Sequence, residues 1–124
     1  MSGELILVVE DNEKNLKLVR DLLQVKGFAT IEAGTAERGL ELALDRQPRL
    51  ILMDVQLPDM DGVSALRRLK ADARTASIAV VALTAFAMKE DRDRFLNAGF
   101  DGYLAKPIDV KTFPEQVRAF IAPG

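Results

Sequence analysis

The stretch LILMDVQLPDMDG, residues 50–62, joins an uninterrupted apolar run to a series of acidic residues. Its first four residues, Leu50–Met53, include no polar side chain, which is typical of a strand buried on both faces of a parallel sheet. Asp54 follows directly, and the Pro- and Gly-containing segment after it predicts a loop before a helix from about Val63 to Ala71. The stretch therefore predicts a central strand with a carboxylate at its carboxyl end.

The rest of the chain repeats this alternation of short apolar runs with longer amphipathic stretches. Further strands are predicted at Leu5–Val9, Phe28–Glu32, Ile78–Leu83 and Gly102–Ala105. Further helices are predicted from about Glu13 to Lys26 before Gly27, from about Ala36 to Arg46 after Thr35, from about Met88 to Ala98 before Gly99, and in the C-terminal segment. A glycine after a helix and a hydroxyl side chain before one are common end signals.

Strict alternation of strands and helices favours a parallel sheet that is covered by helices on both faces. The chain of 124 residues has the length of one domain, so residues 1–124 are assigned to a single α/β unit. For five strands, the common doubly wound arrangement is flavodoxin-like, with strand order 2-1-3-4-5. The mixed composition of the second strand agrees with a place at the edge of that sheet.

The last helix contains Pro114, which would disrupt a helix interior by removing a backbone N–H and clashing with the preceding turn. A start after Thr112 avoids this conflict, because proline is tolerated in the first helical turn. With Thr112 as the N-cap, Glu115 occupies the third helical position and completes a capping box.

The composition excludes several classes of function. The chain has 17 Lys+Arg and 19 Asp+Glu, a net charge of −2, so it offers no broad basic surface for nucleic acid. Cysteine and histidine are both absent, which excludes disulfides, thiol catalysis and the commonest transition-metal ligands. The apolar runs are too short to cross a membrane and the start has no signal-peptide pattern, so we expect a cytoplasmic protein without membrane contact.

The polar residues that could carry chemistry lie at the carboxyl ends of the predicted strands. They are Glu10 and Asp11 after the first strand, Asp54 after the third, Thr84 after the fourth and Lys106 after the fifth. The carboxyl ends of parallel strands share one edge of the sheet, and ligands bind there where the strand order reverses. We therefore expect these side chains to converge between the first and third strands.

Three carboxylates in one place repel one another unless a cation lies among them. Magnesium is the natural candidate, since it prefers oxygen ligands and is usually held by one or two carboxylates, waters and phosphate oxygens. A carboxylate in such a site can act as a nucleophile toward phosphorus and form an aspartyl phosphate. Lys106 and Thr84 would then contact the transferred phosphoryl oxygens, so the set predicts a phosphoryl-transfer site.

Four motifs together resemble the receiver-domain family of response regulators. They are VVEDN at 8–12, LMDVQLPDMDG at 52–62, LTA at 83–85 and YLAKP at 103–107, and they match the family in order and spacing over nearly the whole chain. The segment TAFAMK at 84–89 is most similar to single-domain receivers of cell-cycle phosphorelays and to receivers of hybrid sensor kinases. The acidic pair Glu10-Asp11 departs from the commoner Asp-Asp but keeps its charge.

The resemblance implies a role for each site residue. Asp54 would be the phosphoacceptor, and Mg²⁺ would be bound by Asp11, Asp54 and the backbone carbonyl of Gln56, with Glu10 assisting through water. Lys106 would contact the phosphoryl group and precede a cis peptide bond to Pro107.

The resemblance also implies how the signal would leave the site. Thr84 and Tyr103 would form a switch pair, in which Tyr103 turns from exposed to buried and alters the face made by the fourth helix, fifth strand and fifth helix. Because the chain has no histidine, its phosphodonor would be a separate histidine kinase or histidine phosphotransfer protein. Its own catalysis would be limited to slow self-phosphorylation and self-dephosphorylation, and a downstream protein would bind the switched face.

Other interpretations of these residues stay open at this level. An aspartyl-phosphate type phosphatase would also use a metal-bound aspartate, but it needs a second acid where Gln56 stands. A pseudo-receiver would bind partners without phosphorylation, and a receiver excised from a hybrid kinase would have the same sequence pattern. Asp59-Met60-Asp61-Gly62 resembles the start of a calcium loop, yet the later ligands are missing, so Asp61 is predicted to cap the third helix.

Overall fold

The computed structural model of the protein describes residues 3–85 and 88–121, so residues 86 and 87 of the segment TAFAMK lie outside it. Its strands form one parallel sheet with the order β2-β1-β3-β4-β5, which confirms the predicted flavodoxin-like topology. The strands are β1 (Leu5–Val9), β2 (Ala29–Ala33), β3 (Leu50–Asp54), β4 (Ala79–Thr84) and β5 (Gly102–Ala105).

Helices cover both faces of the sheet, and the central strands β1, β3 and β4 alternate their side chains between two apolar cores. The helices are α1 (Glu13–Val25), α2 (Ala36–Arg46), α3 (Gly62–Ala71), α4 (Lys89–Ala98) and α5 (Phe113–Ile121). Leu50 and Leu52 of β3 pack into the core shared with α1 and α5, whereas Ile51 and Met53 pack into the core shared with α2, α3 and α4. All four side chains are buried, as predicted from the unbroken apolar run.

Side-chain caps begin three of the helices, and two of these caps, Thr35 and Asp61, were predicted. Asn12 accepts hydrogen bonds from the backbone N–H groups of the first turn of α1, and Thr35 accepts one from Arg38 at the start of α2. Asp61 accepts one from the Ser64 N–H at the start of α3, which confirms its predicted capping role. Such caps satisfy N–H groups that have no partner within the helix.

Several predicted boundaries were wrong by one residue, because a turn occupies the residue next to the element. Phe28 lies outside β2, since its N–H bonds back to the Leu23 carbonyl while its ring is buried. Ile78 precedes β4 and donates to the Thr75 carbonyl. Met88 is the N-cap of α4 rather than its first residue, and Lys26 is the C-cap of α1.

The last helix confirms the interpretation of Pro114. Helix α5 begins at Phe113, so Thr112 directly precedes it and Pro114 lies in its first turn. The Thr112 carbonyl accepts a hydrogen bond from the Gln116 N–H at 3.0 Å. The side-chain bonds of the capping box between Thr112 and Glu115 stay a prediction.

Across the described residues, no helix combines the length and the apolar character that crossing a bilayer requires.

Helix α3 approaches the end of β3 so closely that its first residue has to be glycine. A Cβ atom placed on Gly62 would lie 2.7 Å from the Val55 Cα and 3.1 Å from the Asp54 carbonyl oxygen. Both are backbone atoms, which cannot move aside as the end of a flexible side chain can. The Gly62 N–H also donates to the Val55 carbonyl at 2.9 Å, so this approach is part of a bonded turn.

We expect Gly62→Ala to lower the free energy of unfolding by about 1–3 kcal/mol, because the added methyl group forces the backbone of α3 away from Val55. Gly34→Ala is the matched control, since a Cβ atom there would meet nothing within 4 Å. Urea denaturation followed by circular dichroism measures both variants. Equal stability of the two would contradict the close approach.

Candidate functional site

The sheet places the acidic residues of two strands side by side. Strands β1 and β3 are neighbours, with Val9 in register with Met53, so Glu10 and Asp11 emerge next to Asp54. One carboxylate oxygen from each of the three acids lies within 4.8 Å of the others. The predicted convergence is confirmed for these three acids.

Lys106 reaches into this acidic cluster from the end of β5. Its Nζ lies 2.7 Å from Asp54 Oδ2 and 2.6 Å from Glu10 Oε1. Its backbone N–H donates to the Thr84 carbonyl at 2.8 Å, which holds the start of the β5–α5 loop against the end of β4. The Lys106–Pro107 peptide bond is cis, as expected.

Burial and the ion pairs have opposite effects on the pKa values of Glu10 and Lys106. Only 1% of the Glu10 side chain and 16% of the Lys106 side chain are exposed, so neither charge is well solvated. Burial raises the pKa of the Glu10 carboxyl above its ordinary value, and the contact with Lys106 offsets part of this effect. Burial alone would lower the pKa of Lys106, but its contacts with Asp54 and Glu10 outweigh burial and raise the pKa.

Glu10 and Lys106 form a close, charge-assisted contact. Glu10 Oε1 is buried and faces the ammonium group. Its other oxygen, Oε2, accepts a hydrogen bond from the Asn12 N–H at 3.2 Å. Both oxygens of Glu10 therefore have a cationic or N–H partner within the site.

The loop between β3 and α3 is closed on itself and presents its backbone to the cluster. The Gln56 N–H donates to Asp54 Oδ1 at 2.9 Å, so both oxygens of Asp54 have a donor. Gln56 and Asp61 form an isolated antiparallel bridge across the loop. Asp61 in turn caps α3, where its second oxygen accepts from the Ser64 hydroxyl at 3.0 Å.

These groups line an open cleft of about 570 Å³ at the carboxyl edge of the sheet. Its lining residues are Glu10, Asp11, Asn12, Asn15, Asp54, Val55, Gln56, Leu57, Pro58, Ala85 and Lys106. The predicted metal ligands and Lys106 therefore share one cleft. Thr84 and Tyr103, which the structure also describes, do not line it.

The two predicted switch residues lie beside and behind the cleft. Thr84 is the last residue of β4 and is completely buried, one position beyond Leu83, which is in register with Asp54. Tyr103 lies on β5, where it is half-buried and packs against the core shared with α2, α3 and α4. Its hydroxyl accepts a hydrogen bond from the Arg92 guanidinium of α4 at 2.9 Å.

Sequence reasoning missed the roles of Arg92 and Asp59. The Arg92 guanidinium also lies 5.5 Å from the centroid of the Tyr103 ring, a cation–π contact that no strand-end pattern could reveal. Asp59 accepts hydrogen bonds from two backbone N–H groups of α2, which hold the pKa of its carboxyl below the ordinary value. Asp59 lies beside Pro58 in an acidic loop, which marks it as a candidate for a structural contact. The sequence did not indicate that its partner would be α2.

The donor set fits a hard divalent cation. Three ionised carboxylates and one ammonium group leave two negative charges in the cluster. All the donor atoms are oxygens, which magnesium prefers over nitrogen or sulfur ligands. Asp11 is exposed, so the cluster remains open to solvent on one side and can keep water ligands.

Comparisons with known proteins agree with this geometry. The family model of the response regulator receiver domain matches residues 6–118. The chain is 42% identical over 116 residues to the polar-differentiation response regulator DivK of Brucella ovis, covering 94% of each chain.

Solved structures with the same fold include two receiver domains. One belongs to a sensor histidine kinase of Pseudomonas aeruginosa and has a magnesium ion coordinated in its active-site cleft. It has a TM-score of 0.89 at 32% identity, with 98% of this chain and 100% of that chain covered. The other, a CheY-like receiver domain protein of Methanospirillum hungatei, has a TM-score of 0.84 at 29% identity over 95% and 93% of the two chains.

The capping role of Asp61 predicts a pH dependence of stability. Hydrogen bonds from the Ser64 N–H and hydroxyl hold the pKa of Asp61 below its ordinary value of 3.8. The stabilisation from the ionised group is therefore complete above pH 3.8 and is lost as the pH falls through the lower pKa of the folded state.

We expect Asp61→Ala to lower the free energy of unfolding by about 1 kcal/mol at neutral pH. The difference from the native chain should stay constant down to about pH 5 and shrink below the ordinary pKa. Urea denaturation at a series of pH values measures it. A difference that grows as the pH falls would contradict the assigned sign.

Proposed function

Because the chain belongs to the response regulator receiver domain family, it is a signalling domain of two-component systems, and we propose that Asp54 accepts a phosphoryl group with the help of Mg²⁺. The observation that carries the proposal is the surroundings of the Asp54 carboxylate. It lies in an open cleft between two further acids and an ammonium group at 2.7 Å. A carboxylate in such a setting can be both a metal ligand and a nucleophile.

In the proposed reaction, a carboxylate oxygen of Asp54 attacks the phosphorus atom of a phosphohistidine. The new O–P bond forms as the P–N bond breaks, and the imidazole nitrogen leaves with the electron pair. The chain contains no histidine, so the donor is another protein, a histidine kinase or a histidine phosphotransfer protein. Self-phosphorylation from small donors and self-dephosphorylation would be slow side reactions.

The proposed magnesium ligands are Asp11, Asp54 and the backbone carbonyl of Gln56, with Glu10 assisting through water. The ion would neutralise the charge that builds up on the phosphoryl oxygens during transfer. Glu10 suits the indirect role, since it belongs to the carboxylate cluster but is buried and already paired with Lys106. The magnesium-containing cleft of the Pseudomonas aeruginosa relative supports this assignment.

Lys106 would exchange its contacts when the phosphoryl group arrives. Its ammonium group is shared between Asp54 and Glu10, so it is already placed where phosphoryl oxygens would gather. A phosphoryl group adds about −1.5 to −2 charges at neutral pH, which is enough to attract both Lys106 and the Thr84 hydroxyl.

The shift at Thr84 would reach the surface through Tyr103. We assign the altered surface to α4, β5 and α5, where a downstream protein would bind. Tyr103 suits this role because it is half-buried and its hydroxyl is held by Arg92 of α4, so a movement of the ring changes α4 directly. A cytoplasmic location is part of the same proposal.

We expect Asp54→Asn to abolish phosphate labelling from a phosphorylated histidine phosphotransfer protein while leaving the fold intact, because the amide is nearly isosteric. The measurement is transfer of radiolabelled phosphate, with circular dichroism as the control for folding. Beryllofluoride, a phosphoryl mimic, should change the NMR spectrum of the native chain only when magnesium is present.

Normal labelling of Asp54→Asn would refute the phosphoacceptor assignment. No response of the native chain to beryllofluoride would favour a pseudo-receiver that binds partners without phosphorylation.

We expect Lys106→Ala to retain magnesium binding but to lose the coupling between the cleft and Tyr103, because no ammonium group remains to follow the phosphoryl oxygens. Beryllofluoride titrations of the native chain and the variant, followed at the Tyr103 ring signals, compare the two. Native-like shifts of the Tyr103 signals in the variant would argue against this role of Lys106.

A further inference from the structure

Asp59 lies in the loop between β3 and α3, yet its carboxylate is bonded to a different helix. Its Oδ1 accepts from the Ala36 N–H at 2.8 Å and its Oδ2 accepts from the Glu37 N–H at 2.9 Å. Helix α2 already has its own N-cap, Thr35, which accepts from the Arg38 N–H. Asp59 therefore uses both oxygens on N–H groups that the local cap leaves unbonded, and its charge suits the positive end of the helix.

The part of the loop around Asp59 has little other support. Gln56, Pro58 and Asp59 are exposed, and only Leu57 and Met60 pack partly against the core. The start of the loop is held by the bond from the Gln56 N–H to Asp54, and its end by the turn at Gly62. Between these two points, Gln56 and Asp61 bridge each other and Asp61 caps α3, while the carboxylate of Asp59 links the middle of the loop to α2.

Helix α2 also packs against β1, the strand that Glu10 and Asp11 follow. Its Gly39 packs against the side chain of Val9, where an added Cβ atom would lie 2.8 Å from the Val9 Cγ2. Glu10 follows Val9 directly, and its N–H donates to the carbonyl of Ala33, three residues before the helix begins. Helix α2 thus contacts Val9, the residue before Glu10, on one side and, through Asp59, the loop that carries Gln56 on the other.

We propose that Asp59 is a positioning residue for the magnesium site: its paired bonds to α2 set the distance between the Gln56 carbonyl and the acidic pair after β1. The inference rests on the proposed magnesium binding in the cleft. Asp59 itself does not line that cleft in the described part of the chain, so it acts through the loop and not as a ligand. Loss of a residue that orients metal ligands weakens metal binding typically by about 10–100-fold.

The experiment is a calorimetric titration of the native chain, Asp59→Ala and Asp59→Asn with magnesium chloride. We expect the dissociation constant for Mg²⁺ to rise about ten-fold in Asp59→Ala and by less in Asp59→Asn, which keeps one acceptor oxygen. With a phosphohistidine donor, the magnesium concentration for half-maximal transfer should rise similarly, while the rate at saturating magnesium should stay near the native value.

Glu37→Gln is the matched control for charge. It removes one negative charge from the same turn of α2 but keeps the backbone N–H that Asp59 bonds, and it lies next to Asp59 in space. We expect its magnesium affinity to stay within about two-fold of the native value, because a charge on an exposed surface is largely screened. Urea denaturation of all variants reports any loss of stability separately.

The outcomes separate the inference from the function on which it rests. Native affinity in Asp59→Ala, or an equal loss in Glu37→Gln, would overturn the positioning role while leaving the magnesium site in place. A loss of stability with unchanged magnesium affinity would likewise assign Asp59 a purely structural role. No magnesium binding by the native chain would overturn both proposals, and native-like binding by Asp54→Ala would place the ion elsewhere.

Discussion

The ion pairs between Lys106 and the carboxylates of Asp54 and Glu10 are the interaction on which the site depends. Glu10 and Asp54 are both buried, and two close carboxylates repel each other unless a cation lies between them. The Lys106 ammonium group compensates both charges, since its Nζ lies 2.7 Å from Asp54 Oδ2 and 2.6 Å from Glu10 Oε1. Breaking a buried pair by removing one partner leaves an uncompensated charge, so the position of Lys106 at the end of β5 constrains the whole carboxyl edge of the sheet.

The fold separates this polar edge from two apolar cores. The central strands β1, β3 and β4 contribute alternate side chains to either face, and the site carboxylates and Lys106 lie where strands end. Strand β5 connects the cleft with the helical surface, because it ends one residue before Lys106 and carries Tyr103, which is bonded to Arg92 of α4. Helix α2 connects the two acidic strand ends in a similar way, through Val9 on one side and Asp59 on the other.

Much of the fold could be predicted because its signals are local. The unbroken apolar run at Leu50–Met53 required burial on both faces, and the alternation of strands and helices then allowed few topologies. The errors were confined to boundaries, as at Phe28, where the N–H bonds back to α1 instead of entering the ladder of β2. A residue such as Phe28 can belong either to a turn or to a strand, and the local sequence does not show which of the two forms.

The sequence by itself determined which residues would meet at the carboxyl edge: Glu10, Asp11, Asp54 and Lys106 follow from strand order, since parallel strands end on the same side. Only the tertiary structure determined the side-chain contacts between elements that no common sequence pattern links. Asp59 reaches α2 and Arg92 reaches Tyr103 because packing brings those surfaces together. Such contacts depend on distances in space between segments far apart in the chain, which a local pattern of residues does not encode.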